Sequence, residues 1–194
     1  MSLGFHLITH VPVQDDLTNL VLATIGLVWE YHSGPDAEFS VEFASRIEHG
    51  EAGGPEAYGA YVHSERRFAF AIQPTGPHLQ LQALRATMVT VAGHEAMHAI
   101  QYYRGSNPDT TLASNGPGSP TYNENPFEIE AHEESILVLK GYHPDLPSVV
   151  PMGGREYPVP SSSPYEALWD HLERDGAKVR VISRQSTGGR TDAV

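Results

Sequence analysis

The 194-residue sequence contains no cysteine. Disulfide bonds, thiolate metal sites and cysteine nucleophiles are therefore all excluded. Basic residues are also scarce, with 12 Lys and Arg against 24 Asp and Glu, which gives a formal net charge of −12 at pH 7. This acidic balance disfavours nucleic acid or an anionic membrane as a general partner.

Long apolar runs are missing as well. The most apolar early stretch, LVLATIGLVW at residues 20–29, is too short to cross a bilayer. Residues 1–16 contain neither a basic segment nor a long apolar one, so they lack the pattern of a secretory signal. We therefore expect a protein that is cytoplasmic or leaderless and has no membrane-spanning segment.

The remaining composition is that of a globular domain. Hydrophobic residues make up 40% and charged residues 19% of a chain whose length suits one domain with a sizeable core. We predict a single domain over residues 1–184. The last ten residues, 185–194, are polar and glycine-containing, and we predict that they form a disordered tail.

Hydrophobic periodicity predicts an α+β fold with a small mixed or antiparallel sheet, in which most strands precede the long helices. Gly105 is expected to end the longest helix in the left-handed conformation, and Asn125 to cap a helix that begins at Pro126. The predicted elements are a helix within 14–34, a strand within 37–49, a hairpin at 57–73, a helix at 79–104, a loop at 105–125, a helix at 126–141, an irregular surface segment at 143–164, a short helix near 165–174 and a strand at 178–183.

One motif indicates a catalytic metal site. His94, Glu95 and His98 have the spacing His-Glu-x-x-His inside the longest predicted helix. Residues four apart lie on one face of a helix, so the two imidazoles are directed at one point, where neutral ring nitrogens bind zinc. Glu95 borders that face without pointing along it. This is the position of a general base that takes a proton from a metal-activated water.

A catalytic zinc site normally has three protein ligands and one open position. Because cysteine is absent, the third ligand must be His, Glu or Asp, and the helix that begins at Pro126 offers Glu128, Glu130 and His132. Residues 128 and 130 point about 200° apart on a helix, so only one of these glutamates can face the histidines. Spacing alone leaves the choice open.

The two motifs together resemble the gluzincin branch of the zinc metallopeptidases. EIEAH at residues 128–132 is similar to the Glu-x-x-Ala-Asp signature of the integral-membrane prenyl-protein and heat-shock peptidases and their soluble relatives. The resemblance spans residues 90–140 and implies a zincin-like fold, bound Zn²⁺ and Glu128 as the third ligand. Ala131 matches the signature, whereas His132 replaces its aspartate, so we expect His132 either to form a hydrogen bond with a ligand or to bind the metal itself.

The resemblance implies a zinc-dependent peptidase whose substrate is a peptide or protein. It also implies that an edge strand of the hairpin at 57–73 pairs with the substrate backbone. A donor to the oxyanion is needed in addition to the metal. Tyr122 and His132 are the leading candidates for this role, and Tyr102 and Tyr103 are further ones.

Two alternatives share these residues. One is a catalytically silent, zincin-like binding or structural protein, for example part of a phage or secretion assembly, because the sequence shows no recognisable specificity pocket or pro-segment. The other is a metal hydrolase that acts on a non-peptide amide. Nothing in the sequence determines the oligomeric state.

Overall fold

The computed structural model describes residues 3–45, 47, 58–72, 81–106, 124–152, 155–167, 169–170 and 180–187. Within them the chain forms three long helices and seven strands. In chain order these are β1 (Leu3–Thr9), α1 (Asp15–Tyr31), β2 (Ala37–Ala44), β3 (Gly59–Val62), β4 (Arg67–Ala71), α2 (Leu81–Tyr103), α3 (Pro126–Tyr142), β5 (Val149–Met152), β6 (Arg155–Pro158) and β7 (Arg180–Ser186).

The main sheet has five strands in the order β3-β4-β2-β1-β7. The β4–β2, β2–β1 and β1–β7 pairs are parallel, and β3 is antiparallel to β4. The fold is therefore mixed α+β, as the periodicity predicted. The sheet is more parallel than expected, because β1, α1 and β2 form a strand–helix–strand unit that was not predicted.

The core lies between the sheet and the helices. Phe39, Val41 and Phe43 alternate along β2 and are buried, which confirms the half-buried strand that their spacing predicted. Phe68 and Phe70 continue the same layer on β4. These side chains form one hydrophobic cluster with the apolar stripes of α1 and α2.

Both predicted helix ends next to the site are confirmed. Gly105 has φ of +83°, the left-handed conformation that a glycine adopts without a Cβ clash. The Asn125 side chain accepts a hydrogen bond of 3.0 Å from the backbone N–H of Phe127, and Pro126 is the first residue of α3. None of the helices in the described ranges is both long and apolar enough to span a membrane.

Two segments differ from the prediction. β7 pairs with β1 as far as Ser186, so residues 185 and 186 belong to the sheet and not to the predicted tail; residues 188–194 lie outside the described residues. Part of the segment predicted to be irregular forms the β5–β6 pair. Of the short helix predicted near 165–174, residues 171–174 also lie outside the described residues. The strand predicted at 178–183 is β7, and its extension to Ser186 depends on pairing with β1, a distant partner.

Candidate metal centre

Helix α2 brings the two motif histidines together. The Nε2 atoms of His94 and His98 are 3.0 Å apart, and their rings meet edge to face with centroids separated by 4.6 Å. Both side chains are largely buried. The four-residue spacing therefore directs both imidazoles at one point, as the sequence predicted.

Helix α3 packs against α2 and supplies the carboxylate of Glu128. Its Oε2 lies 3.3 Å from Nε2 of His94, and its Oε1 lies 3.3 Å from Nε2 of His98. The residue is only 1% exposed, and neither oxygen has a hydrogen-bond partner of normal geometry among the described residues. A buried carboxylate without such partners is costly unless a cation compensates it. The donor set therefore fits a metal ion.

The electrostatics of the three groups are strongly coupled. Burial by itself would raise the pKa of Glu128, but contacts with the imidazoles of His94 and His98 outweigh burial and hold that pKa well below its usual range. Burial would lower the pKa of His98, but contact with Glu128 and the charge of Glu95 raise it to about 9. Burial lowers the pKa of His94.

The other two residues that were open as ligands occupy different positions. Glu130 does not join the cluster: its Oε2 accepts from Nε2 of Gln101 at 3.0 Å, and its Oε1 lies 3.4 Å from Arg104. His132 does lie at the cluster. Its Nε2 is buried without a hydrogen-bond partner among the described residues, and burial followed by the charge of His94 lowers its pKa to about 4. Ligand atoms of His94, Glu128 and His132 all lie within 4.8 Å of one another, an arrangement that could hold a metal ion.

A cavity of about 490 Å³ lies beside this cluster. Glu95 lines it next to His94 and is itself 8% exposed. Thus the acid predicted as general base borders the same space as two candidate ligands. The lining residues are Tyr58, Gly59, Thr87, Thr90, Val91, His94, Glu95, His132, Ser135, Pro151 and Met152.

The edge strand β3 runs closely along α2 at this cavity. A Cβ on Gly59 would lie 2.3 Å from Cγ1 of Val91 and 3.1 Å from Cγ of Glu95. The position therefore requires a glycine because of close approach. On the other side of β3, no strand pairs with it among the described residues.

We expect Gly59→Ala to destabilise the fold by about 1–3 kcal/mol, since overpacking forces β3 away from α2. Urea unfolding measures this loss. Val91→Ala removes the atom that the new methyl group meets, so Gly59→Ala should cost clearly less in a Val91→Ala background. Strictly additive costs in this double-mutant cycle would contradict the proposed contact.

The candidate oxyanion donors that the structure describes lie in different parts of the fold. Tyr122 lies outside the described residues. The ring of Tyr102 stacks on His63 at 4.1 Å, and Tyr103 is largely exposed with its ring 6.0 Å from Trp29. Among the candidates that lie in the described ranges, His132 is the one placed at the cluster.

Sequence reasoning missed two residues near the cluster. The ring of Tyr157, on β6, is 5.4 Å from that of His132, and its buried hydroxyl has no hydrogen-bond partner among the described residues. Burial raises its pKa, so the hydroxyl keeps its proton. Gln101, on α2, contacts His98 directly. The position of Gln101, three residues after His98 on the same helix face, was a signal available in the sequence.

Comparison of the chain with protein-family models, with curated proteins and with solved structures gave no match.

Proposed function

We propose that the protein is a zinc-dependent metallopeptidase with a zincin-like fold, in which His94, His98 and Glu128 hold Zn²⁺. The observation that carries this proposal is the Glu128 carboxylate, buried between two imidazoles without hydrogen bonds of normal geometry. Two neutral imidazoles and one carboxylate are a common ligand set for catalytic zinc. The short His-Glu-x-x-His and EIEAH motifs support the same assignment.

Glu95 is the general base in this proposal. Bound zinc would polarise a substrate carbonyl and make water nucleophilic near neutral pH. Glu95 takes the proton of the attacking water and passes it to the nitrogen of the leaving amine. Its position on the cavity wall beside His94 supports this role, because the carboxylate borders both the ligands and the space for a substrate.

The surroundings of the cavity favour an extended peptide as substrate. β3 is an edge strand, and its Gly59 lies against α2 beside Glu95. A peptide that pairs with β3 along the edge where the described residues place no strand would have its backbone aligned next to Glu95. Tyr157 and His132 are the candidate donors to the oxyanion.

A second candidate is favoured by the position of His132. Ligand atoms of His132, His94 and Glu128 lie within 4.8 Å of one another. If His132 binds the metal in addition to the three proposed ligands, four protein ligands would close the site, which is the pattern of a structural centre and not of a catalytic one. The chain would then be a silent zincin-like binding or structural protein. X-ray absorption of the zinc-loaded protein distinguishes three protein ligands from four, and a peptide-library cleavage screen tests activity on the same sample.

Metal removal provides the direct test of the proposal. We expect chelation to abolish cleavage of a peptide library and one equivalent of zinc to restore it. Zinc at about 100 times its Kd should also stabilise the fold by about 2.7 kcal/mol, a rise in Tm of roughly 5–10 °C. Differential scanning calorimetry with magnesium as the control cation measures the shift. An unchanged Tm and no bound zinc would disprove the metal site, whereas bound zinc without cleavage would favour the structural alternative.

A further inference from the structure

Gln101 is a buried amide that neither motif includes. It is 1% exposed and lies on α2 one turn after His98. Its Oε1 is 2.8 Å from Nδ1 of His98, and its Nε2 donates to the backbone oxygen of Phe127 at 2.9 Å and to Oε2 of Glu130 at 3.0 Å. The amide therefore joins the metal-binding face of α2 to the first turn of α3.

The partners of the amide determine which way it faces. A backbone carbonyl and a carboxylate can only accept hydrogen bonds, so the NH₂ group of Gln101 must point at Phe127 and Glu130. Its carbonyl oxygen must then point at Nδ1 of His98, which has to carry a proton in order to donate. The remaining ring nitrogen, Nε2, is the one that lies 3.0 Å from Nε2 of His94 and 3.3 Å from Glu128.

We propose that Gln101 is a positioning residue that holds the imidazole of His98 with Nδ1 protonated, so that its Nε2 faces the metal. Glu130 takes part as the acceptor that orients the amide, and Arg104 contacts Glu130 on its other oxygen. Glu130 is not a ligand in the proposed site, but through Gln101 it affects the orientation of His98, which is one. This inference rests on the proposed metal site and adds residues that the two motifs do not contain.

The first test is Gln101→Met, which keeps the volume and removes the amide. We expect zinc affinity, measured by competition with a chromophoric chelator, to fall about 10–100-fold, as is typical when the partner of a ligating histidine is lost. In ¹⁵N-histidine-labelled, metal-free protein, the Nδ1–H signal of His98 should be protected from exchange in the wild type and lost in the variant. Gln185→Met, the same change at an exposed position on β7, is the matched control.

The second test exchanges the amide of Gln101 and the carboxylate of Glu130. Gln101→Glu by itself places two carboxylates in contact and should weaken zinc binding. The Gln101→Glu/Glu130→Gln double variant restores one carboxylate that accepts from His98 and one amide that donates to it, so it should recover part of the zinc affinity and of the protected Nδ1–H signal; recovery is partial because the backbone oxygen of Phe127 still loses its donor. This rescue also keeps the proposal testable if Gln101→Met fails to fold.

The outcomes separate the two proposals. Zinc affinity that is unchanged in Gln101→Met, or a double variant no better than Gln101→Glu, overturns the positioning role even if the wild type binds zinc. If the wild type binds no zinc, the proposed function is wrong, and Gln101 cannot act by positioning a zinc ligand. The Nδ1–H signal of the metal-free protein still reports in that case whether Gln101 orients the ring.

Discussion

Replacing Glu95 with glutamine is expected to remove peptide hydrolysis while zinc stays bound. Glu95 borders the cavity beside His94, and in the proposed mechanism it takes the proton of the attacking water. An amide of the same shape cannot accept that proton. A positioned general base typically contributes a factor of about 10²–10⁴ to the rate. We therefore expect kcat/KM to fall by a factor of about 10²–10⁴ or more.

Three measurements on the same preparation make this result interpretable. Zinc content by elemental analysis and the thermal midpoint should both remain close to wild type, because glutamine preserves the volume of a residue that is 8% exposed. Cleavage of a fluorogenic peptide library reports the rate. Glu30→Gln, the same substitution at an exposed position on α1, should leave the rate unchanged.

An unchanged rate in Glu95→Gln would eliminate this carboxylate as the base. Loss of zinc together with activity would instead indicate that Glu95 supports the ligands, since its charge is among those that raise the pKa of His98. The two results are therefore distinct, and only retained zinc with lost activity agrees with the proposed mechanism.

Replacing Glu128 with glutamine is expected to abolish stoichiometric zinc binding, whereas the same change at Glu130 should leave zinc binding close to wild type. Glu128 is buried against both imidazoles, while Glu130 faces Gln101 and Arg104. Loss of a direct ligand should weaken affinity by more than the roughly 10–100-fold typical of an indirect partner. A glutamine at position 130 still offers an oxygen that accepts from Gln101.

Competition titration with a chromophoric chelator measures both affinities on one scale. The two substitutions are chemically identical and lie two residues apart on one helix, so their effects on helix propensity are matched, and the thermal midpoint of each variant reports any difference in stability. Equal zinc loss in both variants would contradict the assignment of Glu128 as the ligand, and loss only in Glu130→Gln would reverse it.

Local patterns predicted most of the helices and the site residues on α2. The alternation of Phe39, Val41 and Phe43 was sufficient to predict the strand β2. The four-residue spacing of His94 and His98 was sufficient to predict that both lie on one face of a helix. Asn125 and the following proline predicted the start of α3. Each of these signals acts within a few residues, so the sequence carries it directly.

The strands that depend on distant partners were harder to predict. β1 begins with three buried residues and alternates only from Phe5 to Ile8, and it is held by parallel pairing with β2 and β7. The strand predicted at 178–183 is present as β7, but its end at Ser186 was not predicted, because it pairs with β1 more than 170 residues away along the chain. Parallel pairing over long separations leaves little local pattern, because the stabilising contacts are made only after the chain has folded.

The sequence by itself determined that two imidazoles share one helix face with an acid at its border, and that a capped second helix carries Glu128, Glu130 and His132. Only the tertiary structure decided which of these residues reaches the imidazoles. The rotation and packing of α3 against α2 place Glu128 and His132 at the cluster and turn Glu130 towards Gln101. That choice depends on side-chain packing between two helices, and helical periodicity within either one carries no information about it.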